Sequence, residues 1–405
     1  MIDINEEMEI TRRRLRRVVE DILMSKCIKE GTESPVRSNI MPKIEVRRRF
    51  PARIKLSAAA PDKSHGVWMQ PVDKNDITDK SSVRDFKIVI LDAMTMTDKY
   101  VNLNKFSILG EVEYYSFTST EQVAERIKNA NAVITNKVRI TAEAMQGAKQ
   151  LVYIGVMATG YDNIDVEYAK NHNIVVTNVP RYSTFSVAQH TFALILNHFS
   201  KVAQYDNFVH NGGWQYTKLF SPCEYDTYEL QKKSIGIVGF GSIGHEVAKI
   251  ASAFNMTVYV YHPRPLSGQD KRKGYHRITN FTKFLNYSDI ITIHCPLTEQ
   301  TRNMFDSKAF SNCNPNLYLV NTARGGIVDN DALYDALVTK KISGAAIDVL
   351  DTEPMPKDCR LLKAPNLTVT PHVAWAHIES RRRLMNTLYY NLFRFITGHP
   401  VHVVS

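Results

Sequence analysis

From Phe86 onward the chain alternates short, continuous apolar runs with longer amphipathic stretches. Lys87-Ile88-Val89-Ile90-Leu91-Asp92, Ala132-Val133-Ile134-Thr135, Leu151-Val152-Tyr153-Ile154 and Ile174-Val175-Val176 make a first series. Apolarity that is continuous rather than alternating marks strands covered on both faces, as in parallel α/β sheets. A second series runs through Ser234-Ile235-Gly236-Ile237-Val238, Thr257-Val258-Tyr259-Val260-Tyr261, Ile290-Ile291-Thr292-Ile293, Leu317-Tyr318-Leu319-Val320, Ala345-Ala346-Ile347-Asp348 and Leu367-Thr368-Val369. These six runs suffice for a complete doubly wound sheet. Between the series, Ser183 to Val202 has the pattern of a long apolar helix beginning after Pro180, and Trp375 to Thr397 is helical with no strand beyond it. The pattern therefore predicts an α/β chain with two Rossmann-like or flavodoxin-like doubly wound parallel-sheet domains and a cleft between them.

The first 86 residues have a different character. Leu15, Val18, Val19, Ile22 and Leu23 have helical spacing with arginines opposite, followed by a Pro-, Ser- and charge-rich run through Pro35, Pro42, Pro51, Pro61 and Pro71. That composition predicts a basic, partly disordered extension over 1–86. The expected domains are then 87–184, completed by a returning helix over 375–405, and 185–374.

Length agrees with two domains, since 405 residues exceed the usual single-domain size. Hydrophobic content of 44% and charged content of 23% are ordinary for a globular protein, which excludes wholesale disorder. The five cysteines are scattered, with no C-x-x-C pair, which argues against a disulfide framework and against a zinc or other metal site. No run approaches the length a spanning helix requires, so no membrane partner is expected and a reducing, cytoplasmic setting is. The net charge of +10 is diffuse. Arg12-Arg13-Arg14, Arg16-Arg17 and Arg47-Arg48-Arg49 cluster in the extension, and without aromatic or motif context they read as a solvated face rather than a nucleic-acid site.

Gly239-Phe240-Gly241-Ser242-Ile243-Gly244 follows a predicted strand and opens a predicted helix over 246–254. In that context glycines permit a tight turn and let backbone N–H groups reach a dinucleotide pyrophosphate at a helix N-terminus. The next strand should end in an acidic residue if it holds the ribose 2′-hydroxyl of NAD. Here it ends at His262-Pro263-Arg264. Loss of the carboxylate removes the repulsion that rejects a 2′-phosphate, and His262 and Arg264 can pair with one, so NAD and NADP both stay open.

Three polar residues fall just beyond successive strands of the second series: Arg324, Glu353 and His372. Ligands of doubly wound folds bind outside the carboxyl ends of the strands. An arginine clamps a carboxylate bidentately, a histidine exchanges a proton with a hydroxyl or carbonyl, and a neighbouring carboxylate stabilises the imidazolium.

Asn321-Thr322-Ala323-Arg324-Gly325-Gly326-Ile327-Val328-Asp329, Asp348-Val349-Leu350-Asp351-Thr352-Glu353-Pro354 and Thr370-Pro371-His372-Val373-Ala374-Trp375 resemble the signature blocks of the D-isomer-specific 2-hydroxyacid dehydrogenases. The likeness runs from about Lys87 to His399 and includes His294-Cys295-Pro296-Leu297. Trp375, Asn136-Lys137 and Ala158-Thr159-Gly160-Tyr161-Asp162-Asn163 resemble the glycerate dehydrogenase and hydroxypyruvate reductase branch most. Residues 1–86 have no counterpart there, and His262 departs from the common aspartate.

The resemblance implies an oxidoreductase moving a hydride between NAD(P) and the 2-carbon of a short D-2-hydroxy or 2-keto acid, glycerate/hydroxypyruvate or glyoxylate. It implies that Arg324 grips the substrate carboxylate, His372 is the acid/base and Glu353 holds the imidazole. Backbone donors of Ala158, Thr159 and Gly160 would help hold that carboxylate. Gly239, Gly241, Ser242, Ile243 and Gly244 would meet the pyrophosphate, Cys295 and Pro296 the adenosine side, and Thr322, Ala323 and Asp348 the nicotinamide end. It implies a homodimer formed through the cofactor domain. An alternative on the same fold is a dinucleotide-sensing scaffold like the co-repressors that resemble these dehydrogenases. Retention of all three catalytic side chains weighs against it.

Overall fold

The computed structural model describes residues 86–96 and 101–405. The amphipathic segment, the arginine clusters and the rest of the expected extension up to Asp85 lie outside the described residues. The chain divides into two compact units, one running to Pro180 and taking in Met385–Ser405, the other Arg181–Leu384.

In the first unit five strands, β1 Lys87–Ile90, β2 Glu111–Tyr114, β3 Ala132–Thr135, β4 Tyr153–Val156 and β5 Val175–Thr177, form one sheet in the order β2-β1-β3-β4-β5. All pairs are parallel, and the order is that of flavodoxin-like folds. Val89, Leu91, Val133, Ile154, Val156 and Val176 lie in a buried core on one face with Ile127, Met145 and Ala169. Strand β2 was not anticipated. Its sequence, EVEY, pairs only with β1 at the sheet edge, and its residues are half-buried or exposed, so it lacks the apolar run that marks interior strands. The chain's last residues return to this sheet: Val403 bridges Thr177 and Val404 N–H donates to the Val176 carbonyl.

The second unit has seven parallel strands: β6 Ser234–Val238, β7 Thr257–Tyr261, β8 His276–Arg277, β9 Ile290–Ile293, β10 Tyr318–Asn321, β11 Gly344–Ile347 and β12 Leu367–Val369. Their order, β8-β7-β6-β9-β10-β11-β12, is the dinucleotide-binding order with one strand added. The direction of winding reverses between β6 and β9. Successive residues of β9 explain the unbroken apolar runs: Ile290 packs into the core that holds Ile235, Val258 and Phe192, whereas Ile291 and Ile293 enter the opposite core with Phe284 and Phe310. β8 was also not anticipated, because both of its residues are exposed and polar.

The long helix is Thr184–Ser200, close to the predicted span. The helix after the glycine turn is Ser242–Ala253, starting inside the turn rather than at Glu246. The terminal helix is Ile378–Ile396, so Trp375 to His377 precede it as loop. Among the described residues no helix is long and apolar enough to cross a membrane.

Candidate active site

Each glycine of the turn after β6 meets a different requirement. Gly239 has φ +87, and a Cβ there would stand 2.7 Å from the His294 carbonyl oxygen and the Cys295 nitrogen. A Cβ on Gly244 would lie 2.4 Å from the Gly239 carbonyl oxygen, so this glycine lets the helix approach the strand. A Cβ on Gly241 would meet nothing within 4 Å; here the missing side chain leaves space outside the protein, beside the N-terminus of a 12-residue helix. Ser242, Ile243 and Gly244 form its first turn, whose N–H groups have no intrahelical acceptor. That is the cradle a pyrophosphate needs.

Cys295 and Pro296 follow β9, directly across the switch point. Burial pushes the Cys295 thiol up to about 11, so it is protonated and serves as packing. His294 beside it presents two ring nitrogens that are shielded from solvent and have no hydrogen-bond partner among the described residues. Burial lowers its imidazole to about 3, so the ring is neutral, with one donor and one acceptor to offer. Open space at Gly241 and orphaned polar atoms at His294 fit a bound dinucleotide.

Arg324, Glu353 and His372 stand on the loops after β10, β11 and β12. These strands are neighbours and parallel, so the three loops leave one edge of the sheet side by side. Glu353 Oε2 lies 2.7 Å from His372 Nδ1, and its other oxygen accepts the Leu350 N–H at 3.0 Å. The loop carrying Arg324 rests on the loop carrying Glu353. A Cβ on Gly325 would fall 1.9 Å from the Leu350 carbonyl carbon and 2.2 Å from the Asp351 nitrogen, and only glycine permits that approach. Asn321 fixes the Arg324 turn, accepting from the Ala323 N–H at 3.0 Å and donating to the Arg324 carbonyl at 2.9 Å. The guanidinium itself donates to the Ala323 carbonyl at 2.8 Å. Thr322 Oγ1 sits 3.3 Å from Thr191 Oγ1 of the long helix.

Residues 192–374 match the family model described as D-isomer specific 2-hydroxyacid dehydrogenase, NAD binding domain. The chain is 35% identical over 322 residues to a hydroxypyruvate reductase of Blautia hydrogenotrophica, an alignment covering 79% of this chain and 99% of the relative. A glycerate dehydrogenase of Methylorubrum extorquens is 35% identical over 323 residues, with 79% and 99% covered. Among solved structures, an acyclic imino acid reductase in complex with NADPH and D-Arg superposes with a TM-score of 0.69 at 31% identity, covering 79% of this chain and all of that one.

The chain belongs to the D-isomer-specific 2-hydroxyacid dehydrogenase family. The resemblance drawn from the motif blocks, the α/β fold and the expectation of an NAD(P)-dependent oxidoreductase agree with these relatives.

Against that family background three placements stand out. Asp348, expected at the nicotinamide end, is almost fully buried and braces the loop of His372. Its carboxylate accepts the N–H groups of Val373 and Ala374, each at 2.9 Å, and the Thr370 hydroxyl at 2.5 Å. Its carbonyl accepts the N–H of His372, whose φ of +55 is unusual for a residue with a side chain.

The end of β7 is basic. The Phe240 N–H lies 3.4 Å from His262 Nδ1, and Arg264 Nε lies 3.4 Å from His262 Nε2. A neutral imidazole accepts at only one nitrogen, so the two contacts compete. Burial lowers the pKa of His262, and the positive charges of Arg264, Arg277 and His245 lower it further. Arg277 is a residue that sequence reasoning missed. It arrives on β8, and its guanidinium donates to the carbonyls of His262 at 2.9 Å and Pro263 at 2.6 Å. Recognising β8 beside β7 would have found it.

Ala158, Thr159 and Gly160 lie in the first unit, beyond the carboxyl end of β4. Thr159 is tied down on both sides: its hydroxyl donates to the Val179 carbonyl at 2.9 Å, and its carbonyl accepts from Asn178 Nδ2 at 2.7 Å. The Ala158 carbonyl accepts the Val179 N–H.

Proposed function

We propose that the chain reduces a short 2-keto acid, hydroxypyruvate or glyoxylate, to the D-2-hydroxy acid, with NADPH as the preferred donor. The Glu353–His372 pair, with the Arg324 loop seated on it through Gly325, carries this reading. The nicotinamide supplies a hydride to the 2-carbon when it is bound. Arg324 clamps the substrate carboxylate through its planar fork and so orients the 2-keto group. His372 Nδ1 is engaged by Glu353, which leaves Nε2 as the nitrogen that donates a proton to the carbonyl oxygen. Glu353 stabilises the imidazolium that makes this donation and fixes the plane of the ring. In the oxidative direction the neutral ring takes the hydroxyl proton back. Thr322, Ala323, Cys295 and Pro296 line the cofactor's path.

The choice of NADPH follows from charge. The end of β7 carries His262 and Arg264 in place of a carboxylate, and Arg277 of β8 joins them, where the adenosine ribose would lie. We further propose a homodimer formed through the cofactor unit, which exposes Trp214 (50%), Tyr216 (88%), Leu219 (63%) and Phe220 (93%) within one short segment. The free cysteines Cys223, Cys295, Cys313 and Cys359 accord with work in the cytoplasm.

The test is oxidation of NADPH and NADH, followed by absorbance, over a panel of 2-keto acids. Turnover of hydroxypyruvate or glyoxylate is expected. Cofactor binding without turnover of any member would overturn the reading and favour the sensing scaffold.

A further inference from the structure

His190 lies in the long helix, outside the motif blocks, with only 16% of its side chain exposed. Its Nε2 stands 3.1 Å from Thr370 Oγ1 and 3.6 Å from Asp348 Oδ1. The Thr370 hydroxyl gives its single proton to Asp348 Oδ1, so toward His190 it can only accept. Burial lowers the His190 pKa despite the Asp348 charge, and His377 lowers it further, so the ring is neutral at neutral pH and donates through Nε2–H. The chain of bonds runs from His190 to Thr370 to Asp348, and Asp348 in turn holds the three N–H groups of His372, Val373 and Ala374. The same helix touches this loop a second time, where the Ser186 hydroxyl donates to the Ala374 carbonyl at 2.7 Å.

We propose that His190 is a positioning residue: through Thr370 and Asp348 it holds the backbone on both sides of His372 and so sets the aim of the imidazole. The proposal rests on the reading of His372 as the proton donor. A left-handed backbone at a histidine persists only where its surroundings over-determine it, and four contacts here converge on one carboxylate. Proton transfer depends steeply on this geometry, whereas the carboxylate clamp at Arg324 does not pass through His190. Loss of the contact should therefore appear in kcat and spare KM.

The variants are His190→Phe, which keeps a ring and removes the donor, and His190→Gln, whose amide nitrogen reaches about as far as Nε2. Steady-state kinetics with NADPH and hydroxypyruvate are paired with amide hydrogen exchange over residues 370–376. His190→Phe should lower kcat about tenfold with KM changed less than about twofold, and should speed exchange at Val373 and Ala374 about tenfold. His190→Gln should recover most of both. Thr370→Val removes the middle of the relay and should reproduce the Phe variant, with the double variant no worse than either single one. Unchanged kcat and exchange in His190→Phe, equal loss in His190→Gln, or a loss borne by KM would each overturn the proposal. Should the unaltered protein reduce no 2-keto acid, the proposed function fails, and exchange at Val373 and Ala374 still decides the role of His190.

Discussion

Replacing Arg277 by alanine removes one of two guanidinium groups at the end of β7 and leaves the glycine turn untouched. The arginine is already oriented by the carbonyls of His262 and Pro263, so little ordering cost falls due when a 2′-phosphate arrives. A hydrogen bond to a charged group contributes about 1.5–3 kcal/mol. Arg277 and Arg264 are both exposed, so screening by water and salt puts the loss near the lower end, about 1.4 kcal/mol or about tenfold in Kd. The charge on Arg277 also helps depress His262. Without it His262 takes up a proton more readily, and the new positive charge partly replaces the lost one as pH falls. The loss should therefore be greater at pH ~8 than at pH ~6. Fluorescence titration with NADPH and NADH measures both dissociation constants. NADPH should weaken about tenfold in Arg277→Ala and NADH by less than about twofold, with the contrast shrinking at high salt. Equal weakening of both cofactors, or an unaltered protein that binds NADH as tightly as NADPH, would refute the charge argument.

Further variants separate the parts of the site. His372→Ala should cut kcat by about a hundredfold or more while cofactor titration stays within about twofold; loss of both would make the residue structural. Arg324→Lys keeps the charge but loses the planar fork, and the KM for the 2-keto acid should rise sharply, as steady-state kinetics will show. Gly241→Ala has open space for its methyl and a negative φ of −86, so melting should be unchanged while binding of both cofactors weakens; Gly244→Ala should instead lower the melting temperature, since its Cβ would stand 2.4 Å from the Gly239 carbonyl oxygen. His294, depressed to about 3 in the folded chain, stays neutral where the unfolded chain takes up a proton, so stability present above about pH 6.5 is lost as pH falls toward 3. Between pH ~7.5 and ~5.5 this amounts to about 1.4 kcal/mol, to be read as the difference between the unaltered protein and His294→Asn in urea unfolding.

Interior strands were legible because burial on both faces writes itself into each strand's own residues. Ser234–Val238, Thr257–Tyr261 and Ile290–Ile293 stand where their apolar runs predicted. Glu111–Tyr114 and His276–Arg277 were not legible, because an edge strand is specified by its partner's hydrogen bonds and needs no apolar run of its own. The motif blocks likewise named Arg324, Glu353 and His372 and put each just past a strand.

By itself, then, the sequence determined the parallel α/β architecture, the glycine turn and the three polar groups beyond successive strands, all of them properties of short stretches of chain. Tertiary structure alone decided that Gly325 would seat the Arg324 loop on the Glu353 loop, that β8 would carry Arg277 to His262, and that His190 would reach Thr370 across 180 residues. Those contacts depend on the order in which strands enter the sheet and on where helices cross it. No local pattern records that order; it is set by packing of the whole domain.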